Sequence, residues 1–482
     1  MSNYKLINGN MLEELDKLDE NSIDSIVTDP PYELNFMGKG WDNAGISFNK
    51  ETWKKCLRVL KPGGHLLAFG GSRTAHRIAC AIEDAGFEIR DTIMWLYGSG
   101  FPKSMAIDKA LESKLVNNSA NKRDFKNLDG TKVEAGNWGI NKMAYEHGFR
   151  ATDYAADKHL RVDKVNYQTE EAKQWQGWGT QLKPSYEPII VARKPLVGSI
   201  IDNIQQYGVG GINIDECRVP AKQGEYDIRH YTNEDCFQNT KPKESKFQVE
   251  PQPDGRFPAN TILTYDETDK EEVIGGFPDT KSQKTNSQLL DIRGNNYNNS
   301  SKTLDIAYER GFNDEGSASR YFYCAKASVK DRDEGLEYFD VKVTGELQGG
   351  RKEGSAGSLR VRKDGSIGVN PYAGNGSPKR NIHPTVKPVE LMQYLVRLVT
   401  PKGGTILDPF MGSGSTGKAV MYENNEKDKN YLFIGIELEK EYYEIANARI
   451  AYADGDIVIR EVDENNNVTT RKQHIEKQKR LF

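Results

Sequence analysis

The sequence predicts an α/β protein whose mostly parallel sheet is covered by helices on both faces. Two stretches of chain, one near each end, alternate short apolar strands with amphipathic helices. Helix stop signals separate them, such as Lys61-Pro62-Gly63-Gly64 after one predicted helix and Gly86 after another. This alternation is typical of parallel sheets, in which the crossover helices cover both faces.

Each predicted element rests on its apolar periodicity. The predicted strands are short apolar runs at residues 23–28, 65–69, 87–97, 186–193, 405–407 and 431–436. The predicted helices have apolar residues at helical spacing or begin at a helix start signal, at residues 51–60, 74–85, 388–399, 414–422 and 439–453. The strand at 186–193 stands alone between polar regions, and we expect it to join the core sheet.

The polar regions between these stretches predict insertions into one split core. They are rich in Asn, Gly, Ser, Lys and Asp, which is typical of long loops. The predicted division is a first half of the core at 1–115, an insertion at 116–180, a core strand at 181–194, a larger insertion at 195–380, a second half of the core at 381–455 and a basic C-terminal tail at 456–482.

Composition narrows the class of protein but does not reveal its function. The chain has 482 residues, 37% hydrophobic and 28% charged, with a net charge of −4. No apolar run is long enough to span a bilayer and no signal peptide is recognisable, so we expect a cytoplasmic protein. The five cysteines are scattered without a C-x-x-C pair, which favours neither a disulfide framework nor a zinc knuckle.

A glycine-rich loop near the C-terminus predicts a ligand site. It reads Asp408-Pro409-Phe410-Met411-Gly412-Ser413-Gly414-Ser415-Thr416-Gly417-Lys418-Ala419. The loop fits a dinucleotide fingerprint, a P-loop, or a nucleoside ligand without phosphate such as S-adenosylmethionine. A P-loop requires a hydroxyl after its lysine to bind magnesium, and Ala419 occupies that position. The ATPase interpretation is therefore disfavoured.

Glu437 adds a second part to this site. It lies 20 positions after Gly417, at the end of the next predicted strand, where an acid would bind ribose hydroxyls. The predicted helix start at Ser415 favours a carboxylate ligand, and the methionine end of S-adenosylmethionine carries one. The competing interpretation is that Glu437 only caps the next helix.

The tetrapeptide Asp29-Pro30-Pro31-Tyr32 follows the first buried strand and predicts a site for a planar amine. Asp29 would accept one N–H, the Pro30 carbonyl would accept the other, and Tyr32 would stack on the ring. The competing interpretation is an ordinary turn after a strand.

Together these residues resemble the β group of amino-methylating DNA methyltransferases. The tetrad stands near the N-terminus and the glycine loop near the C-terminus, as in that family. Between them, Asn381-Ile382-His383-Pro384-Thr385-Val386-Lys387-Pro388 resembles the family segment H-P-T-x-K-P. The resemblance covers residues 5–107, 182–194 and 381–453.

The resemblance implies a Rossmann-like methyltransferase fold and S-adenosylmethionine as cofactor, with no metal. The cofactor-binding residues that it implies are Asn10, Asp29, Thr385, Lys387, Asp408, Pro409, Phe410, Gly412, Ser413, Gly414, Ser415, Thr416 and Glu437. Thr385 and Lys387 would approach the methionine carboxylate. Gly9-Asn10 stands where the family often has Gly-Asp, so an amide oxygen would meet the cofactor's adenine.

The implied activity is site-specific methyl transfer to an amine of adenine or cytosine in double-stranded DNA. Asp29, Pro30, Pro31 and Tyr32 would be the catalytic residues, and an acid at the first position favours N6-adenine over N4-cytosine within the family. The target base must leave the duplex to reach the cofactor. Phe36 or Trp41 would then stack on it opposite Tyr32, and the insertion at 195–380 would recognise the DNA sequence.

The last residues suggest a further partner. Gln478-Lys479-Arg480-Leu481-Phe482 resembles the short peptide by which bacterial proteins dock on the replication sliding clamp. A basic, solvated helix end is the competing interpretation. A restriction endonuclease partner is left open, and the expected location is the nucleoid-associated cytoplasm of a bacterial or phage system.

Three other classes of protein are disfavoured. An RNA or protein amino-methyltransferase shares the core, but amide-directed members carry Asn-Pro-Pro-Tyr where Asp29 begins the tetrad here. An intact tetrad and glycine loop argue against a catalytically silent DNA-binding module. A nucleotide-dependent oxidoreductase leaves the segment from Asp29 to Tyr32 unexplained.

Overall fold

A computed structural model gives the fold of most of the chain. It describes residues 3–34, 42, 44–98, 104–117, 169–220, 255–265, 270–281, 285–290, 303–310, 315–325, 330–341, 359–361, 367–369, 380–462 and 468–474. Two compact units divide the chain. The first comprises Met1–Gly98, Tyr186–Val341 and Lys379–Phe482, and the second comprises Ser99–Ser185 and Lys342–Pro378.

The elements alternate as the sequence predicts. The strands are β1 Tyr4–Asn8, β2 Ile23–Thr28, β3 Leu60–Phe69, β4 Glu88–Tyr97, β5 Tyr186–Arg193, β6 Thr261–Thr264, β7 Asp279–Lys281, β8 Thr285–Leu290, β9 Thr303–Arg310, β10 Glu315–Ser317, β11 Tyr323–Cys324, β12 Leu359–Val361, β13 Ile367–Val369, β14 Thr405–Asp408, β15 Leu432–Glu437, β16 Asp456–Val462 and β17 Val468–His474. The helices are α1 Met11–Glu14, α2 Lys50–Val59, α3 Ala75–Asp84, α4 Ile107–Asn117, α5 Glu170–Gln174, α6 Ile200–Tyr207, α7 Lys270–Ile274, α8 Lys330–Asp333, α9 Val389–Val399, α10 Ser415–Lys427 and α11 Lys440–Asp454.

One mixed sheet forms the core of the first unit. Within the described residues it has nine strands in the order β1-β15-β14-β2-β3-β5-β4-β6-β11. All neighbouring pairs are parallel except those of β5, which runs antiparallel to both β3 and β4. The prediction of a mostly parallel sheet is confirmed, and Tyr186–Arg193 joins it as expected.

Helices cover both faces of this sheet, because its central strands are apolar on both sides. In β3, Leu67 and Phe69 belong to a buried cluster with α9 and α10. Leu66 and Ala68 point to the other face and belong to a cluster with α2 and α3. This alternation along one strand produces the doubly covered sheet of a Rossmann-like fold.

The predicted insertion 195–380 contributes two short strands to the core sheet. Its strands β6 and β11 extend the core sheet beyond β4. Ile262 and Leu263 of β6 are buried, and Tyr323 of β11 stacks on Tyr394 of α9 with ring centroids 4.1 Å apart. Strands of two and four residues between polar segments are too short to show a periodicity.

Two further elements differ from prediction. Strand β3 begins at Leu60, although Lys61-Pro62-Gly63-Gly64 was expected to be a turn. Gly63 adopts φ +80° and its N–H donates to the Lys194 carbonyl over 3.0 Å, so the chain continues along the sheet. At the C-terminus, part of the predicted tail forms a hairpin, in which β16 and β17 pair antiparallel.

The second unit has shorter described elements. The carboxylate of Glu112 in α4 accepts hydrogen bonds from the backbone N–H and the hydroxyl of Thr169, the residue that caps α5. Strands β12 and β13 pair antiparallel. Across the described parts of both units, no helix is both long and apolar enough to cross a membrane.

Candidate active site

The Asp-Pro-Pro-Tyr tetrad directly follows β2 at the carboxyl edge of the sheet. Strand β14 pairs parallel with β2 and ends at the same edge, at Asp408. The hydroxyl of Thr28, the last residue of β2, donates to Asp408 Oδ1 over 2.6 Å. The tetrad and the glycine loop are therefore neighbours, although 378 sequence positions separate Asp29 from Leu407.

Asp408 organises the loop that follows it. Its Oδ1 also accepts the backbone N–H of Phe410 over 3.2 Å, and its Oδ2 accepts the hydroxyl of Thr416 over 2.7 Å. Burial raises the pKa of Asp408 to about 6, although the hydrogen bonds from Thr28 and Thr416 oppose this shift. Asp408 thus joins β2, the loop and the first turn of α10.

Two glycines allow the loop to turn tightly around this acid. Gly412 has φ +54° and Gly414 has φ +77°, both in the left-handed region that favours glycine. A Cβ on Gly414 would lie 2.9 Å from the Cβ of Ala446 in α11. The loop therefore requires glycine at position 414 for two reasons, and it leads into α10 at Ser415.

Glu437, at the end of β15, binds the other side of the loop. Its Oε2 accepts the N–H of Gly412 and its Oε1 accepts the N–H of Glu439, each over 2.8 Å. Burial raises the pKa of Glu437 to about 7 against these hydrogen bonds. Each carboxylate oxygen has capacity for another hydrogen bond, so Glu437 can also accept from a ligand hydroxyl.

The ammonium of Lys387 lies beside the tetrad. It donates to Asp29 Oδ2 over 2.8 Å and to the Tyr32 hydroxyl oxygen over 3.1 Å. It also lies 3.2 Å from Glu187 Oε2. Although burial acts in the opposite direction, Asp29 and Glu187 raise the pKa of Lys387 above its ordinary value. The contact with the methionine carboxylate expected for Lys387 stays a prediction, because its described partners are acids and a hydroxyl.

Tyr32 is fixed by the same group of residues. Its hydroxyl donates to Glu187 Oε2 over 2.7 Å, and the Lys387 ammonium lies 5.3 Å from its ring centroid. Burial, together with Asp29 and Glu187, raises the pKa of Tyr32 well above its ordinary range. The phenol therefore stays protonated, and its ring is held in one orientation.

The two carboxylate oxygens of Asp29 differ in their hydrogen bonds within the described part of the chain. Its Oδ2 binds Lys387, whereas Oδ1 is buried and has no hydrogen-bond partner among the described residues. A buried carboxylate oxygen without a donor is unfavourable unless a ligand supplies one. This atom marks where a bound N–H group would fit.

The same edge of the sheet fits S-adenosylmethionine. The left-handed glycines bring backbone close to a ligand, and the N-terminus of α10 favours its carboxylate. Glu437 offers a buried acceptor for ribose hydroxyls. These features, rather than any one residue, match the donors and acceptors of that ligand.

The other predicted site residues have varied surroundings. Asn10 caps α1, and its Oδ1 accepts the N–H of Leu12 over 3.0 Å. Thr385 is exposed, and its carbonyl oxygen accepts from His383 Nδ1 over 2.5 Å. Their expected cofactor contacts stay predictions. Phe36 and Trp41 lie outside the described residues.

Sequence reasoning missed two members of the site, Glu187 and Tyr97. The Tyr97 hydroxyl donates to Glu187 Oε1 over 3.2 Å. Both residues lie in strands that were predicted, but their roles depend on which strand ends meet. A glutamate next to Pro188 at the start of a buried strand was the available signal.

The fold and the residues at the carboxyl edge of the sheet first indicate the class of protein. A mostly parallel, doubly covered sheet with an acid and a glycine loop after neighbouring strands is a Rossmann-like core that binds a nucleoside ligand. Residues 23–448 match the model of the N6/N4 methyltransferase family, described as DNA methylase. The chain therefore belongs to that family of DNA methylases, and its cofactor is S-adenosylmethionine.

Individual relatives are similar over shorter stretches. The Type II methyltransferase M.HpaI of Haemophilus parainfluenzae is 35% identical over 138 residues, which are 27% of this chain and 43% of that protein. The Type II methyltransferase M2.DpnII of Streptococcus pneumoniae is 33% identical over 137 residues, 27% of this chain and 44% of that protein. The chain thus spans less than half the length of these curated relatives.

Among solved structures, the PvuII DNA methyltransferase (cytosine-N4-specific) matches with a TM-score of 0.36 and 14% identity. That match covers 93% of this chain and 86% of the PvuII chain.

Proposed function

We propose that the protein is a site-specific DNA methyltransferase that moves a methyl group from S-adenosylmethionine to the N6 amine of adenine. The observation that carries this proposal is Asp29 Oδ1, a buried acceptor without a donor among the described residues, next to the glycine loop of a DNA methylase. The two N–H groups of an amine need two acceptors. Asp29 Oδ1 and the Pro30 carbonyl would supply them.

The chain's own residues would activate and position the amine. The lone pair of an aromatic amine is delocalised into its ring, which makes it a weak nucleophile. Hydrogen bonds to Asp29 and Pro30 favour a pyramidal nitrogen whose lone pair is directed away from both acceptors. S-adenosylmethionine, when bound, supplies a methyl group on a sulfonium. The N–CH₃ bond forms as the S–CH₃ bond breaks, and an amine proton then leaves to Asp29 or water.

Access to the amine requires that the base leave the duplex. An amine inside paired DNA cannot approach a cofactor at the sheet edge, so the base is flipped out. The ring of Tyr32, fixed by its hydrogen bond to Glu187, is available to stack on that base. Phe36 and Trp41 remain the proposed residues for the opposite face.

The choice of adenine rests on Asp29, the acid at the first position of the tetrad. Cytosine N4 presents the same kind of amine, so the geometry of the acceptors alone does not separate the two bases. The methylated nucleoside that the enzyme forms distinguishes adenine from cytosine as the target base. N4-methylcytosine would preserve the mechanism and change only the base.

The test is methyl transfer from labelled S-adenosylmethionine to mixed-sequence duplex DNA, followed by nucleoside digestion and mass spectrometry. We expect N6-methyladenine from the wild type, and a loss of at least about 100-fold in Asp29→Ala. Cofactor binding should remain in that variant. Asp16→Ala changes an exposed acid that pairs with Lys55, and it should retain full activity. The proposal fails if the folded wild type binds cofactor but methylates no DNA.

Three partner predictions accompany this function. The insertion at 195–380 would recognise the DNA sequence, and a restriction endonuclease that acts at the same sequence is left open as a partner. Clamp docking by Gln478 to Phe482 involves residues outside those described, and it stays a prediction. Deleting Leu481 and Phe482 should remove clamp binding while activity on short DNA is retained.

A further inference from the structure

Glu187 reaches the active site because its strand runs against its neighbours. In β5, Glu187 pairs with Trp95 near the end of β4, and Ile189 pairs with Phe69 at the end of β3. The N-terminal end of an antiparallel strand therefore lies at the carboxyl edge of the parallel strands. A parallel β5 would have placed this carboxylate at the opposite edge.

Both oxygens of Glu187 are engaged at that edge. Oε2 accepts from the Tyr32 hydroxyl over 2.7 Å and lies 3.2 Å from the Lys387 ammonium. Oε1 accepts from the Tyr97 hydroxyl over 3.2 Å. A single carboxylate thus connects the tetrad, strand β4 and the segment that carries Lys387.

The site holds one more acid than Lys387 needs. Asp29 alone would neutralise the ammonium, yet Glu187 also contacts it, so these three groups carry a net charge of −1. Removing an additional carboxylate from most of its water is costly, and an ion pair that serves only stability does not require it. The additional charge is explained if it acts on the reaction.

We infer that Glu187 is a positioning residue for methyl transfer, which holds Tyr32 and Lys387 so that Asp29 keeps Oδ2 on Lys387 and uses Oδ1 for the amine. This inference rests on the proposed function. Lys387 engages Oδ2, whereas Oδ1 has no donor among the described residues, so Oδ1 is the acceptor that the amine would satisfy. The Tyr32 ring has one defined orientation because its hydroxyl is held by Glu187.

The extra negative charge also suits the direction of the reaction. As the methyl group moves from a sulfonium to a neutral amine, positive charge develops on the target base. A net charge of −1 in this partly buried cluster stabilises that charge more than a neutral pair does. Glu187→Gln removes this charge while keeping the size of the side chain.

The protonation of Lys387 gives an independent readout. The groups that face it are Asp29, Glu187 and Tyr32, the rings of Phe69 and Trp95, and more distantly His383. The two nearest acids keep the pKa of Lys387 above its ordinary value against the effect of burial. Without the Glu187 charge, burial is opposed by Asp29 alone, so Lys387 should lose its proton at a lower pH.

The experiment compares wild type, Glu187→Gln, Glu187→Asp and Glu88→Gln. Glu88 begins β4 at the opposite edge of the sheet and pairs with Arg193, so it is a matched control. Single-turnover methyl transfer should fall on the order of 100-fold in Glu187→Gln and remain unchanged in Glu88→Gln. Glu187→Asp should recover part of the rate, and cofactor affinity should change by less than about twofold in both Glu187 variants.

The pH dependence completes the test. Glu187→Gln should lose activity at a lower alkaline pH than wild type, and Lys387 should react with an amine-labelling reagent at that lower pH. Equal rates in wild type and Glu187→Gln, or labelling of Lys387 with an unchanged pH dependence, would overturn the inference. A wild type that labels as expected but methylates no DNA would instead refute the proposed function.

Discussion

The guanidinium of Arg449 is fully buried beneath the glycine loop and donates from Nη1 to the carbonyl oxygen of Ser413. The same nitrogen lies 2.9 Å from Ser413 Oγ, and Nη2 donates to the Asp331 carbonyl oxygen over 2.9 Å. Burial lowers the pKa of Arg449 to about 10, so it remains charged at neutral pH. Helix α11 thus fixes the loop at Ser413.

Arg449→Met should weaken S-adenosylmethionine binding about tenfold or more. The substitution removes the Arg449 donor from the Ser413 carbonyl and leaves the Asp331 carbonyl with Lys418 Nζ, so the loop loses a buried contact that holds its shape. Titration calorimetry measures the affinity. Arg397→Met removes another buried arginine that contacts Glu423 instead of the loop, so it should lower stability and leave affinity within about twofold. Equal affinities in wild type and a folded Arg449→Met would contradict this prediction.

Gly414→Ala should destabilise the protein by about 2–5 kcal/mol, because alanine is strained in a left-handed backbone conformation and its Cβ would clash with Ala446. Gly403 is the control, because its φ of +79° is close to the +77° of Gly414. A Cβ added at Gly403 would meet no atom within 4 Å, whereas a Cβ added at Gly414 would meet one at 2.9 Å. Gly403→Ala should therefore cost only about 1–2 kcal/mol. Urea unfolding of both variants measures the difference, and identical losses would show that the close contact with Ala446 is unimportant.

The sequence predicts those parts of the molecule that depend on local periodicity. The predicted strands and helices were located to within about five residues, and the antiparallel strand Tyr186–Arg193 was found with its observed bounds. Its direction could not be predicted, because an apolar run has the same pattern in either orientation. Strand β1, Tyr4–Asn8, which pairs with β15 in the core sheet, was not predicted. The short strand Thr261–Thr264 was missed because four residues give too little periodicity.

In the candidate site, too, local motifs could be predicted, but contacts between distant parts of the chain could not. Asp29 and Asp408 were predicted because each stands in a recognisable motif at a strand end. Glu187 was not, because its place beside Tyr32 depends on the order and direction of strands that are far apart in sequence. Lys387 was predicted as a site residue, but its partners Asp29 and Glu187 became visible only in the folded chain.

Glu437 and Asp408 should make the unliganded protein more stable as the pH falls. Burial raises the pKa of Glu437 from 4.5 to about 7 and that of Asp408 from 3.8 to about 6. The folded state therefore binds these protons more tightly than the unfolded chain does. Their contribution to stability is fully present below about pH 4 and is lost as the pH rises through about 6 to 7. The side chain of Glu437→Gln cannot ionise, so this variant lacks the pH-dependent contribution of Glu437. Urea unfolding of wild type and variant across that pH range measures this contribution.

Cofactor affinity should depend on pH in the opposite sense. A ribose hydroxyl donates best to an ionised carboxylate, so binding should strengthen as the pH rises through the pKa of Glu437, about 7. In Glu437→Gln the affinity should be weaker and nearly independent of pH in that range. Calorimetric titrations at several pH values measure both curves. Parallel curves for wild type and variant would show that Glu437 does not hold the ligand.

Arg397 and Glu423 should contribute far more to stability than an exposed pair. Glu423 is fully buried, and its carboxylate accepts from Arg397 Nε over 3.0 Å and from Nη2 over 2.6 Å. Glu423→Ala leaves the guanidinium charged and unpaired between α9 and α10, which should cost about 3–5 kcal/mol. The exposed pair of Lys402 and Asp428 lies 3.1 Å apart, and Lys402→Ala should hardly change the unfolding midpoint. Similar midpoints for the two variants would mean that water reaches Arg397 and replaces its lost partner.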